Sequence, residues 1–377
     1  MAEKYTVAPD LDFIKEIGEL GGDSVKKCFQ CATCSVVCPI SPENKPFPRK
    51  EMIAASWGLK DKLVSNYDIW LCHQCGDCST LCPRGARPGD VLAAIRAYTI
   101  GEYATPKVLA KMVRDPKKLP ILFAIPAILF LVLGSITGLL DFSPGGDEIA
   151  HHLFFSSWLV DLIFVPTAAW AVIIFALGLK RFVKDIHESA IRDGKIEDKE
   201  FELAGLLNGL KKVIPSILKH EKFSECSENK ERATSHLMVL FSFIGLFIVT
   251  NIFFVVLYGL QIHGPYSQLN PVKWLANISG VMLIVGSILM IKNRLEKEDQ
   301  KSSYVDWSLL AIVLGVGATG MLAEITRLLN LAAVSYGMYF IHLMFVFVLF
   351  AFLPFSKLAH IVYRTVALAY NEYANRK

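Results

Sequence analysis

Residues 28–39 read CFQCATCSVVCP and residues 72–83 read CHQCGDCSTLCP. One pattern, Cys-x2-Cys-x2-Cys-x3-Cys-Pro, thus occurs twice, as Cys28, Cys31, Cys34, Cys38 and as Cys72, Cys75, Cys78, Cys82. Three thiolates three residues apart converge on three irons of one cubane from a tight loop. The fourth, turned away by the following proline, reaches the other cluster in loops of this spacing. The pattern therefore predicts two [4Fe–4S] clusters. Cys28, Cys31, Cys34 and Cys82 hold the first; Cys72, Cys75, Cys78 and Cys38 hold the second. Zinc wants two ligand pairs around one tetrahedral ion, and four close thiols ended by Cys-Pro suit it poorly. His73, inside the second loop, reads as a residue near the cluster and not as a ligand.

Working outward, 33 residues separate the two loops and carry a helical pattern at Met52, Ile53, Trp57, Leu59, Leu63 and Val64. Helical periodicity also precedes the first loop (Leu11, Ile14, Ile17) and follows the second (Val91, Leu92, Ile95, Tyr98). The expected fold is all-α: residues 1–118 form an α-helical two-cluster ferredoxin domain. Eight of the nine cysteines lie in the two loops and only Cys226 stands apart. The first residues are polar and amphipathic, with no apolar signal segment. Reduced, clustered cysteines in such a segment read as cofactor ligands in the cytoplasm.

Beyond residue 118 the character changes. The whole chain of 377 residues is 53% hydrophobic and 20% charged, against about 25% charged for an average soluble protein. Six apolar runs hold the excess, at about 119–140, 153–179, 237–260, 274–291, 305–323 and 331–355. Each is near the roughly 20 residues that cross a bilayer as a helix, so 119–377 reads as a six-helix transmembrane domain. Segment 180–235 carries twelve Lys and Arg and 292–303 carries four, whereas 141–152 and 261–272 carry none. Basic loops alternating with bare ones predict both termini and the cysteine domain on the inner side of the cytoplasmic membrane. Between the second and third runs, 185–235 is either an amphipathic surface segment or a solvated connector. A net charge of +4 without a basic stripe excludes nucleic acid as partner.

Buried histidines in such a bundle point to haem b, whose iron takes axial ligands from facing helices. His342 and His360 flank the last run eighteen residues apart. In one continuous helix that is five turns on one face. His236 begins the third run, level with His360, and His236–His360 is the expected haem pair. His342 is a further ligand if it finds a partner, giving one haem or two. His151, His187 and His220 read as surface residues. Asp161, in the second run, is the candidate for a proton path, whereas Glu324 and Arg327 read as an ion pair.

Two stretches give a resemblance. FPRKEMIAASWGLKD (47–61) and IWLCHQCGDCSTLCPRGARPGDVLAAIRAY (69–98) resemble heterodisulfide reductase C subunits, over about residues 9–105. The remainder resembles the cytochrome b subunit of that enzyme and, more distantly, nitrate reductase gamma subunits. Both in one chain resembles the QmoC-type membrane subunits of quinone-interacting membrane-bound oxidoreductases. The nitrate reductase pattern implies His342 and His360 as ligands. It also implies a histidine after Gly245, where this chain has Leu246. The resemblance implies menaquinone as substrate, QmoA-like and QmoB-like flavin and iron–sulfur subunits as partners, and adenylylsulfate reductase as acceptor. A heterodisulfide reductase using methanophenazine, and a membrane-anchored iron–sulfur redox sensor without turnover, are the alternatives. The chain has no Gly-x-Gly-x-x-Gly nucleotide fingerprint and no Cys-Cys pair, so terminal chemistry belongs to other subunits.

Overall fold

A computed structural model describes residues 8–144, 148–225, 232–296 and 301–376. Among them there are helices and loops and no strand, and the all-α expectation holds. The cysteine region contains α1 (Leu11–Ile17), α2 (Arg49–Ser56), α3 (Asp68–Leu71) and α4 (Pro88–Tyr103). Asp10 caps α1, its carboxylate accepting the Phe13 N–H at 2.8 Å. Pro88 opens α4, where its missing N–H costs nothing.

Two long apolar helices follow, α5 (Leu119–Thr137) and α6 (Ser157–Arg192). A shorter helix, α7 (Leu203–Lys219), separates them from four more: α8 (Arg232–Gly259), α9 (Pro271–Leu295), α10 (Tyr304–Leu328) and α11 (Ala332–Ala351). All except α7 are long and apolar enough to cross a membrane, making this a multi-pass membrane protein. Their outward faces present Val132, Val165, Val172, Phe247 and Val255 to the surroundings, which only a lipid solvent makes favourable. Helices α8 to α11 pack as successive antiparallel neighbours, and α11 also contacts α5 and α6.

A last helix, α12 (His360–Tyr373), corrects the continuous-helix reading of the final run. Helix α11 ends at Ala351, and two short 3₁₀ turns, at Leu353–Phe355 and Lys357–Ala359, lie between. Pro354 cannot donate into a continuing helix, and the Ser356 hydroxyl accepts the Leu358 N–H to start the next turn at 3.2 Å. His342 and His360 therefore sit on different helices, and five-turn periodicity does not relate them.

Helix α6 runs 36 residues, about 54 Å, and so extends well past the bilayer. Its last turns join the core of the cysteine domain. Phe182, Ile186 and Ala190 pack there with Trp70, Tyr98 and Ile95, and with Tyr363, Ala367 and Tyr370 of α12. Trp70 stacks on Tyr363 at 5.6 Å and meets Phe182 edge-on at 5.9 Å. Helix α7, within 185–235, is amphipathic: it buries Leu206, Gly209 and Val213 and leaves Leu203, Leu207, Ile214 and Leu218 exposed. It lies along α12, with Gly209 against the Ala369 backbone so closely that a β-carbon would collide. The break at residue 118 divides the chain but not this core.

Candidate iron–sulfur and histidine sites

The two cysteine loops fold alike, residue for residue. Gln30 and Ala32 in the first have φ of +64° and +71°; their counterparts Gln74 and Gly76 have +53° and +107°. These left-handed turns wrap each backbone round a common centre. One-turn helices then follow, Thr33–Val36 and Asp77–Thr80, and pack on each other. That packing carries the fourth cysteine of each loop across to the other.

The thiols feel one another in two groups. Burial pushes the Cys34 thiol up to about 11, and the charges of Cys28, Cys31 and Cys82 add to the shift. Burial likewise pushes Cys38 up to about 12, with contributions from Cys72 and Cys75. Cys78 is raised by burial and by Cys72, Cys38 and Cys75. Cys34 is thus near Cys28, Cys31 and Cys82, and Cys38 and Cys78 are near Cys72 and Cys75. Around the second set, Cys38, Cys72, Cys75 and Cys78 line one cavity together with Ile40, Phe47 and Leu92. The Gln74 N–H points at the Cys72 sulfur at 3.2 Å. Among the described residues no three ligand-type side chains close on one point as a single ion requires. Thiols spread around a volume suit a multi-iron group, whose charge would deprotonate them.

Directly beside the second loop lies a file of rings. His73 meets the Phe223 ring at 5.4 Å, Phe223 stacks on His220 at 5.2 Å, and His220 lies 4.9 Å from His236. His236, in the first turns of α8, is 6.4 Å from His360 at the start of α12. His360 Nδ1 donates to the Lys357 carbonyl at 2.7 Å, and His236 Nδ1 is bonded to His220 Nε2 at 2.7 Å. Each Nδ1 is therefore engaged by a neighbour that orients the ring, as outer partners orient metal-bound imidazoles. Two imidazoles 6.4 Å apart, each with its Nδ1 engaged, are a donor set that would suit a haem iron, which would supply a one-electron carrier there. Arg232 ties α8 to the loop, donating to the Gln74 carbonyl at 3.0 Å.

The other histidines fall elsewhere. His342 packs against Gly320, where a β-carbon would come within 2.9 Å of the imidazole, and is bonded to the Thr319 hydroxyl at 3.1 Å. Leu246 joins the apolar contacts of Leu283, Val313 and Leu349. Three histidines read as surface residues are not. His187 is buried between the Tyr370 hydroxyl and the Lys199 carbonyl, at 2.8 and 2.9 Å. His151 bonds Ser335 at 2.9 Å and stacks on Tyr339, and His220 is part of the ring file. Only contacts between distant segments make them visible.

Asp161 accepts the Tyr258 hydroxyl. Tyr258 is 22 residues along α8 from His236, about 33 Å, so Asp161 sits at the far end of the bundle from the His236–His360 pair. His152 and His263, whose rings are 5.9 Å apart, mark that same end through the two loops without Lys or Arg. Glu324 pairs with Arg327 at 2.8 Å, as expected, and also with Lys273 at 2.9 Å. Cys226 lies outside the described residues.

A buried ionic group escaped the sequence reading. Asp68, at the start of α3, takes Lys195 at 3.0 Å and the Arg376 guanidinium. Lys195 also donates to Asn66, which donates to Glu51 at 2.8 Å. Burial first, and then Asp68, pushes the Glu51 carboxyl up to about 7.

A 4Fe–4S dicluster domain model matches residues 24–86, and the citrate utilization protein B model matches residues 149–377. The C subunit of the H(2):CoB-CoM heterodisulfide,ferredoxin reductase of Methanothermobacter marburgensis is 40% identical over 63 residues, 16% of this chain and 34% of that protein. A protein of Archaeoglobus profundus described as like the heterodisulfide reductase C subunit is 35% identical over 105 residues, 28% of this chain and 56% of that protein. The chain spans between about a third and just over half of the length of these relatives. No solved structure matches it. The cysteine region is a two-cluster 4Fe–4S domain like that of heterodisulfide reductase C subunits, and an electron-transferring oxidoreductase component follows from it. With more than half its length matched by that model, the chain belongs to the citrate utilization protein B family.

Proposed function

We propose that this protein passes electrons between a quinone in the membrane and a soluble flavin or iron–sulfur partner, using haem b and two [4Fe–4S] clusters. The observation that supports it most is the ring file. Three ring contacts, none longer than 5.4 Å between centroids, join the His236–His360 pair to the loop of Cys72, Cys75 and Cys78. Bound at these residues, haem and clusters supply one-electron carriers. The chain's own residues set their places. His236 and His360 hold the haem, His220 and the Lys357 carbonyl orient the two imidazoles, and Arg232 ties the cluster loop to the bundle. Cys28, Cys31, Cys34 and Cys82 hold one cluster; Cys72, Cys75, Cys78 and Cys38 hold the other.

The resemblance to QmoC-type subunits supports menaquinone as the membrane substrate. It also supports QmoA-like and QmoB-like partners, adenylylsulfate reductase as acceptor, and a cluster domain facing the cytoplasm. The family match favours a second reading of the soluble side alone, with a partner from citrate metabolism. Anaerobically purified protein should contain about eight non-haem irons and one haem b, reduced on adding a menaquinol analogue. Clusters without haem, or haem that the quinol leaves oxidised, would refute the membrane half. Mixing the quinol-reduced protein with adenylylsulfate reductase and its flavin subunits separates the two soluble readings, because only the first expects reoxidation.

A further inference from the structure

The two clusters' surroundings differ in a way that assigns a direction to the cysteine domain. The second set lies under the bundle, beside His73 and Arg232. The first set opens outward, with Cys31 exposed. Three bare apolar side chains neighbour the first set's cysteines along the chain, Phe29 after Cys28, Val36 beyond Cys34 and Leu81 before Cys82, at 67%, 83% and 55% exposure, and the one-turn helix that ends at Val36 packs on the one just before Leu81. Arg84 lies over the Phe29 ring at 3.9 Å, and Lys26 and Lys27 are exposed beside it. Residues 24–39 and 79–88 contain no acidic side chain. Apolar residues exposed at this density mark a contact surface. A rim of one sign steers a partner of the opposite sign, which raises association rates about 10–1,000-fold at low salt.

We infer that the surface formed by Phe29, Val36 and Leu81, rimmed by Lys26, Lys27 and Arg84, docks an acidic electron-carrier protein that exchanges electrons with the first cluster. The partner presents an apolar centre ringed by Asp and Glu around its own cofactor. This deepens the function proposed above, on which it rests, by naming the exit and the charge of what meets it. Each encounter moves one electron from a reduced cluster to the carrier's oxidised cofactor, with no bond made or broken.

The test uses the full detergent-solubilised chain, reduced with dithionite and freed of excess reductant, so no quinone step is involved. Acidic plastocyanin is the probe, its Cu(II) becoming Cu(I) as it accepts the electron; a basic cytochrome c is the counter-probe. Plastocyanin reduction should slow at least about tenfold between low and high salt. The double variant Lys27→Glu/Arg84→Glu should slow it similarly at low salt and speed the cytochrome. Phe29→Ser should slow plastocyanin while keeping the salt dependence, and Lys111→Glu, elsewhere on the surface, should change nothing. Iron and sulfide content must stay at the wild-type value in each variant compared. Equal rates for wild type and the double variant, or an equal loss in Lys111→Glu, would overturn the docking surface. A quinol that fails to reduce the clusters would overturn the membrane reading and leave this result untouched.

Discussion

Loop 28–39 and loop 72–83 share every cysteine position, their left-handed turns and the short helix that follows. Around the first stand Phe29, Val36 and Leu81, open to solvent. Around the second stand Phe223, Arg232 and the aromatic file down to His360. Spacing decides how thiolates converge, since that depends on backbone a few residues long. What a cluster exchanges electrons with depends on side chains brought from as far along the chain as His360, and spacing says nothing of those.

The largest effect that could break this comparison comes from removing a ligand. Cys78→Ala and Cys34→Ala should each halve the iron and sulfide per chain. Only Cys78→Ala should also cut the clusters off from quinol, as read by the remaining cluster's reduction. If both variants lose quinol reduction alike, the two loops are not in series. Next, His236→Ala and His360→Ala should each abolish the haem absorbance, whereas His342→Ala should leave the haem held by that pair. A haem spectrum unchanged in His360→Ala would remove the pair from the pathway.

The fit of the two halves rests on Asp68, Lys195 and Arg376. Asp68→Asn leaves two buried cations without their carboxylate and should cost about 3–5 kcal/mol, seen as a lower unfolding midpoint in detergent. The exposed pair Lys184–Glu188, 3.8 Å apart, offers the contrast, and Glu188→Gln should stay within about 0.5 kcal/mol. Glu51 beside them titrates high, so the folded state holds its proton longer than the unfolded chain does. Stability then falls as pH rises from about 4.5 toward 7. Glu51→Gln should flatten that slope, leaving stability at pH 5 little changed and raising it at pH 8. A further small effect separates the loops again. Ala32 occupies the left-handed position that Gly76 takes in the second loop, so Ala32→Gly should stabilise by about 1 kcal/mol and Gly76→Ala destabilise by a similar amount.

Much of this is legible in the chain itself. The doubled cysteine spacing points to the crossed ligand sets, and six apolar runs point to the six long helices, because both are short-range patterns. Other features are not. The last run reads as one helix carrying His342 and His360, and Pro354 with its neighbours breaks it. Helix α7 reads as a surface segment or a connector, and its packing face exists only because α12 returns to meet it. His220 reads as solvated in KHEKFSE, and it is one link in the ring file.

The sequence by itself determined the helical class, the two cluster loops and the number of apolar spans. Backbone geometry over a few residues and the solvent preference of twenty-residue stretches suffice for that. Only the tertiary structure decided that α6, α7 and α12 build one core with the cluster domain, that the His236–His360 pair stands beside the second loop, and that the first loop faces outward. Those outcomes depend on which distant surfaces bury one another, and burial is a property of the packed chain, not of any segment in it.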